Sequence, residues 1–312
     1  MIELRHLTTL QALSECGSLA GAAEQLHLTQ SALSHQIKIL ESHYSCSLFL
    51  RKSRPLRFTG AGERLLVLAD QVLTQVRLAE RDVMQLREGA GERLHIALEC
   101  HSCFEWLMPS MNAFRERWPD IKMDLSAGFN FDSIPALLKG DVDLVITSDA
   151  QEVKGVVYQP LFAYQAVLAM ANDHPLTQRA WIAPQDLAAE TLITYPVPRS
   201  RLDIFRHFLH PAGVEPLAQR TAELTLMIMQ LVASHRGVAA LPNWVVADYL
   251  AYHYVAARAL GSDGMWATLY AALRADQLNS VFMQGFISIA RETSFRTLKD
   301  IRKAEPGSAT LT

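Results

Sequence analysis

Apolar residues near the start of the chain recur twice at helical spacing. Leu19, Ala22, Ala23 and Leu26 form one short stripe, and Leu33, Ile37 and Leu40, at i, i+4 and i+7, form a second. His27 and Leu28 separate them, which leaves room only for a tight turn. Ser18 and Thr29 stand where the two helices would begin, and a hydroxyl there accepts from backbone N–H groups that have no partner within the helix. The pattern predicts two short helices across 18–42, docked stripe to stripe. Thr29, Gln30, Ser31, Ser34, His35 and Lys38 are then left facing outward. Such a face suits a DNA major groove: Gln bridges two positions of an adenine edge, Ser serves either base type, and Lys holds phosphate. A lone amphipathic helix would read as a wetted surface. The pairing, the turn and a basic flank shift the reading to a helix-turn-helix.

The flank has a pattern of its own. Residues 48–50 and 56–58 read as short strands around a turn at 52–55, a β-hairpin wing with Arg54 at its tip, suited to a minor groove. From Thr59 the period changes. Leu65, Ala69, Val72, Val76, Ala79, Val83 and Leu86 alternate in steps of four and three, the heptad signature of a helix seam. One helix, about 60–88, would carry it and stop before Gly89 and Gly91. Pairing with a second copy is the simplest cover for the seam, with packing on its own domain as the alternative. Dimerisation would set two recognition helices on one DNA face and predict a partly palindromic site.

Beyond residue 91 strands and helices alternate. Strands are expected at 94–98, 122–125, 142–147, 158–162, 165–171, 192–195, 238–241 and 266–273, and helices at 104–118, 133–139, 202–209, 224–234, 245–250 and 277–296. This is an α/β pattern of two lobes with parallel sheets. The expected domains are a winged helix-turn-helix at 1–59, a linker helix at 60–89 and a two-lobed domain at 90–303. Lobe 1 would take about 90–162 and 267–303, lobe 2 about 163–266, and 304–312 would be a flexible tail. Ligands of such sheets sit beyond the carboxyl ends of the strands. Candidates there are Glu99, Ser102, Cys103, Phe129, Phe131, Thr147 and Asp149 on one side and Pro198, Arg199 and Arg201 on the other. An arginine could fork onto a carboxylate. Capping and solvation are the plain alternatives for Ser102, Thr147 and Arg201.

Composition narrows the class. The 312 residues are half hydrophobic and a fifth charged, with a net charge of −3. Residues 1–60 carry +2, so one copy would hold DNA weakly and two copies better. No secretory signal or membrane-length apolar run is visible, which points to the cytoplasm, to no membrane partner and to reduced thiols at Cys16, Cys46, Cys100 and Cys103. Cys100 and Cys103 flank His101, yet zinc would need two further ligands. A redox pair at a helix start and simple packing thiols both remain open there. His207, His210 and His235 form no triad with a nucleophile. No catalytic site, metal site or cofactor is therefore expected. An exported solute-binding protein would share the lobes but have no use for residues 1–60, and a thiol enzyme would need an activating base.

The segments TQSALSHQI at 29–37, LFLR at 48–51 and FTG at 58–60 resemble the winged helix-turn-helix of LysR-type transcriptional regulators. Residues 225–242 and the two-lobed pattern resemble their effector domain, so the likeness spans nearly the whole chain. The resemblance implies DNA contact by Gln30, Ser31, Ser34, His35 and Arg54, and effector contact near Ser102, Cys103, Thr147 and 198–201. It also implies homodimers or dimers of dimers, and RNA polymerase as a partner. The sequence departs from many members at Ser31 and His35, where proline and arginine are common. The blocks GSLAGAAEQLH, RKSRPLRFT, ECHSC, DLVITSD and YPVPRSRLDIFRHFLHPAG resemble the branch that controls methionine biosynthesis. That implies an activator, sometimes a repressor, with homocysteine as co-effector. A regulator of another pathway sensing a different small carboxylate or amino acid is the alternative.

Overall fold

The computed structural model describes residues 2–50, 55–87, 93–99, 103–127 and 133–304. They fall into two compact units, Met1–Ala90 and Gly91–Thr312. The first is helical: α1 (Leu4–Cys16), α2 (Leu19–Gln25), α3 (Gln30–Tyr44) and α4 (Gly60–Arg87). Ser18 caps α2, its Oγ accepting from Gly21 N–H at 3.1 Å, and Thr29 caps α3, its Oγ1 accepting from Ala32 N–H at 3.2 Å. Ala22, Ala23, Leu33 and Ile37 bury against Ala12 and Leu13 of α1, with Leu19 and Leu26 at the edge. The turn takes a left-handed backbone at His27, φ 53°, a conformation that non-glycine residues adopt sparingly.

The wing is held by little backbone pairing among the described residues. Phe49 and Phe58 form an antiparallel bridge, and Leu50 N–H donates to Arg57 O at 2.9 Å. Thr59 then starts α4, accepting from Gly62 N–H on its Oγ1 at 3.2 Å while donating to Ser47 O at 2.7 Å. Gly62 has no freedom to be anything larger, since a Cβ there would lie 2.2 Å from Leu48 O. The wing tip, with Arg54, lies outside the described residues.

The helix expected over 60–88 runs Gly60–Arg87, but its seam is divided. Leu65 packs against the cluster of Leu10, Leu40 and Leu48, and Ala69 is fully buried. These two seam positions serve packing within the unit, as the alternative reading of the heptads had it. Gln11 of α1 also donates to Asp70 at 3.0 Å. Val72 and Val76 are half-buried, whereas Ala79 and Val83 are exposed, Val83 at 64%. The side chain of Leu86 lies outside what is described.

The second unit comprises β1 (Arg93–Leu98), α5 (Phe104–Arg117), β2 (Lys122–Ala127), α6 (Ser133–Lys139), β3 (Leu144–Thr147), β4 (Val156–Met170), β5 (Thr191–Thr194), β6 (Ala218–Thr221), α7 (Thr225–Ala233), β7 (Ala239–Pro242), α8 (Asn243–Ala251), β8 (Ala256–Ala259), β9 (Met265–Arg274) and α9 (Val281–Thr297). The main sheet runs β2-β1-β3-β9-β4-β7, with β8 also on β4, and β5 pairs with β6. The all-parallel expectation is corrected here. β1 is parallel to β2 and β3, but β9 runs antiparallel to β3 and β4, and β7 and β8 run antiparallel to β4. The two strands expected at 158–162 and 165–171 are one, β4, with a register shift between Pro160 and Phe162. A bulge of this kind hides the period of two and divides one strand into two in the sequence pattern.

β4 carries the chain from one lobe into the other. Trp106, Phe114, Phe162 and Phe286 build a core on one face of lobe 1, and Leu168, Leu192, Phe205 and Leu260 build one in lobe 2. β3 is buried at every position, which explains its unbroken apolar run. The segment expected as a helix at 202–209 is a π-helix, Ile204–Leu209.

Candidate functional site

α3 presents the first candidate surface. Leu33, Ile37 and Leu40 bury, which turns Gln30, Ser31, His35 and Lys38 outward, where they are exposed, and leaves Ser34 half-buried between them. Thr29 is exposed as well, within 3.0 Å of the Ser31 hydroxyl. Behind the face, buried Thr9 of α1 donates to Gln36 Oε1 at 2.6 Å and ties the recognition helix to the helix that supports it. Sequence reasoning passed over this pair, because a polar residue on the inner side of α1 carries no periodic signal.

The second candidate is a cavity of about 150 Å³ between the lobes. Sites for drug-sized ligands span about 300–1,000 Å³, so this one suits a smaller molecule. Glu99 and Thr147 reach it from the ends of β1 and β3, Tyr195 and Arg201 from beyond β5, and Tyr164 and Trp244 from β4 and α8. Tyr164 and Trp244 meet edge to face at 4.7 Å and form an apolar wall. Thr147, fully buried, accepts the Asp149 N–H at 3.0 Å and so sets the loop after β3, the capping role foreseen as the plain alternative.

Charge in the cleft is paired across it. Arg201 Nη2 lies 2.9 Å from Glu99 Oε2 and Arg201 Nε 3.3 Å from Asp149 Oδ2, while Arg206 Nη1 lies 2.9 Å from Asp149 Oδ1. Gln151 donates a further bond to Asp149 at 2.7 Å. Burial would lower the basicity of the Arg201 guanidinium, but Glu99 and Asp149 outweigh burial and raise it, so the arginine stays charged. Burial holds the Asp203 carboxyl above its ordinary value, against the pull of His207 and Arg206 and with a contribution from Asp149.

Several expected cleft residues are elsewhere. Arg199 is turned away: its Nε donates to Gln219 and its Nη1 to Glu215, both at 2.7 Å, and its guanidinium lies 4.6 Å from the Phe205 ring centre. Pro198 is exposed, caps the 3-10 turn Arg199–Arg201 and does not line the cavity. That turn sends Arg199 and Arg201 in different directions. Cys103 is buried at 1% exposure among apolar residues of lobe 1 and does not reach the cavity. Ser102, Phe129, Phe131, Cys100 and His101 lie outside the described residues. Tyr164, Asp203, Arg206 and Trp244 were not foreseen. Tyr195 opens the 195–201 loop that the sequence sets against the cleft, whereas Asp203 falls in the stretch expected as a helix at 202–209. His207, His210 and His235 face separate carboxylates, Asp203, Glu215 and Asp173. No group of metal-ligand type occurs among the described residues, and no helix there is long and apolar enough to cross a membrane.

A helix-turn-helix unit followed by a two-lobed unit with a cleft is the make-up of a class of DNA-binding transcriptional regulators. Residues 4–63 match the family described as bacterial regulatory helix-turn-helix protein, lysR family, and residues 87–294 match the LysR substrate binding domain. The chain belongs to the LysR family of DNA-binding transcriptional regulators. It is 48% identical over 305 residues to the HTH-type transcriptional regulator MetR of Escherichia coli K12, covering 98% of this chain and 95% of that one. It is 43% identical over 297 residues to the MetR of Haemophilus influenzae, covering 95% and 96%. Among solved structures, the regulatory domain of MetR from N. meningitidis matches at 43% identity and a TM-score of 0.63, over 69% of this chain and 99% of that one. Full-length BenM matches at 21% identity and a TM-score of 0.58, over 96% and 99%, a likeness of fold alone. These relatives are regulators, not enzymes.

Proposed function

We propose that this protein regulates methionine biosynthesis genes and takes homocysteine as its effector in the interlobe cleft. It acts in the cytoplasm as a homodimer, with a homotetramer as the larger assembly, on a partly palindromic duplex site. As an activator it engages RNA polymerase, and at some promoters it represses. The observation that carries this reading is a small cavity holding both an arginine and carboxylates, in a chain similar over 98% of its length to MetR regulators. Homocysteine brings a carboxylate, an ammonium and a thiol on a short stem. Arg201 answers the first, Glu99 or Asp149 the second, and the Tyr164–Trp244 wall suits the third. On the DNA side, Gln30, Ser31, Ser34 and His35 reach base edges, and Thr29, Lys38 and Arg54 meet the backbone or minor groove. The remainder of the α4 seam, Val72, Val76, Ala79, Val83 and Leu86, pairs the copies. Ligand binding favours one interlobe angle and changes DNA binding by altering the spacing of the paired domains.

The test joins calorimetry to gel shifts on fragments from upstream of methionine genes. The expected outcome is preference for those fragments over unrelated DNA, altered by homocysteine and not by homoserine, its hydroxyl counterpart. Equal retention of all fragments would refute the DNA reading. Unchanged homocysteine affinity in Ser102→Ala, Thr147→Ala and Arg201→Ala, alone and combined, would remove those residues from the effector site.

A further inference from the structure

Glu99 and Asp149 follow strands of lobe 1, whereas Arg201 and Arg206 come from the segment after β5 in lobe 2. The Asp149 and Glu99 side chains are only 8% and 13% exposed, so each carboxylate depends on a cation delivered by the opposite lobe. Burying such a group is unfavourable unless it is paired and hydrogen-bonded. The bonds at 2.9, 3.3 and 2.9 Å therefore tie the lobes together across the cavity.

This arrangement has a consequence for what can enter. A simple carboxylate arriving at Arg201 displaces Glu99 and strands it, half enclosed and without a cation. A simple amine arriving at Glu99 takes that carboxylate from Arg201, leaving Nη2 of the guanidinium without its partner and only the longer bond from Nε to Asp149. A molecule bearing both charges on neighbouring atoms leaves neither stranded: its carboxylate takes the place of Glu99 on Arg201, and its ammonium takes the place of Arg201 on Glu99. Asp149 meanwhile keeps Arg206 and Gln151.

We propose that the Glu99–Arg201 pair is an internal substitute for an α-amino acid, latching the lobes when the cavity is unfilled and admitting zwitterions in preference to simple carboxylates by exchanging partners with them. The inference rests on the reading of this cleft as the effector site and adds how that site selects and what holds it shut.

Full-length wild-type protein and Glu99→Gln are titrated with homocysteine and with the same molecule carrying hydrogen in place of the ammonium, sulfanylbutanoate. Wild type should prefer homocysteine by about ten- to a hundredfold, the range of a hydrogen bond to a charged group. In Glu99→Gln the latch is weakened and the ammonium loses its partner, so homocysteine should bind less tightly and sulfanylbutanoate more tightly than to wild type. Arg201→Lys, which keeps the charge, should retain the wild-type order. Equal weakening of both ligands in Glu99→Gln, or an unchanged ratio, would overturn the exchange. Hydrogen exchange without ligand tests the latch directly: amides of 147–151 and 199–206 should exchange faster in Glu99→Gln than in wild type at unchanged melting temperature, and equal rates would overturn it. Should neither titrant bind either protein, the effector reading falls, and the exchange rates still decide the latch.

Discussion

On α3, Gln30, His35 and Lys38 stand exposed with no side-chain partner among the described residues, whereas Glu99, Asp149, Arg201 and Arg206 bind one another at 2.9–3.3 Å. On the function proposed above, the two regions face opposite kinds of partner. A duplex offers a long row of phosphates and base edges, so its reader needs only a firm helix with polar groups already hydrated. A small ligand offers two or three polar atoms in a partly dry cavity, where any charge left over is costly. The duplex-reading face is therefore built from local rules, and the cleft from mutual compensation between distant segments.

The largest expected effect separates the two regions. Gly62→Ala brings a Cβ within 2.2 Å of Leu48 O in the DNA-binding unit, and Gly237→Ala, at φ 146°, brings one within 2.3 Å of Thr191 O in lobe 2. Each should cost about 1–3 kcal/mol or more by forced displacement. The first should abolish promoter binding and spare effector binding in calorimetry, and the second should do the reverse. Loss of both activities in either variant would mean that the units do not behave as separate structures.

Within the recognition face, Gln30→Ala should lower discrimination between the cognate promoter and unrelated DNA by about 1–3 kcal/mol. Lys38→Ala should weaken all sequences alike and reduce the salt slope by about 1. Competition gel shifts at two salt concentrations check both, and identical behaviour of the two variants would exclude direct base reading by Gln30. Thr9→Val removes the bond to Gln36 and should destabilise the DNA-binding unit by about 0.5–1.5 kcal/mol, measured by urea unfolding.

The smallest effect is one of sign. Burial, helped by Arg5 and opposed by Glu3, lowers the folded-state basicity of His6 below 6.5. The unfolded chain then binds more protons, so the stability linked to His6 is full above 6.5 and is lost as pH falls below that value through the folded one. Asp203 responds in the opposite sense. Its folded value is raised above 3.8, so its contribution is full below 3.8 and is lost as pH rises through the folded value. Melting curves across mildly acidic pH should show His6→Gln reducing the acid sensitivity of the DNA-binding unit and Asp203→Asn removing an alkaline-side loss from the other unit. Unchanged pH slopes would contradict both assignments.

Legibility in the sequence follows the same division. The caps Ser18 and Thr29, the buried stripe on α3 and the extent of α4 were all readable, because each depends on residues within a few turns. The sharing of the α4 seam was not settled, since whether Leu65 meets α1 or a second copy depends on the tertiary arrangement. In the cleft the general location was readable from strand ends, and Glu99, Thr147, Asp149 and Arg201 do line the cavity. The choice between Arg199 and Arg201 was not, because a single 3-10 turn separates their directions. Arg206 and Trp244 joined the site through a π-helix and a helix start, features whose spacing carries no charge or period to mark them. The antiparallel run of β9 was hidden as well, since pairing direction leaves no trace in a buried apolar strand.

That return strand bears on how the molecule is made. β4 spans Val156–Met170 and pairs with β9 along most of its length, so β9, formed from Met265–Arg274, closes ladders in lobe 1 and reaches the start of lobe 2. During synthesis the main sheet, which runs through both lobes, cannot be finished until the ribosome has passed that segment, a long-range pairing of the kind that slows folding. A nonsense mutation shortly before Met265 should therefore leave no half-functional sensor lobe, only an intact DNA-binding head joined to an unfinished and aggregation-prone remainder.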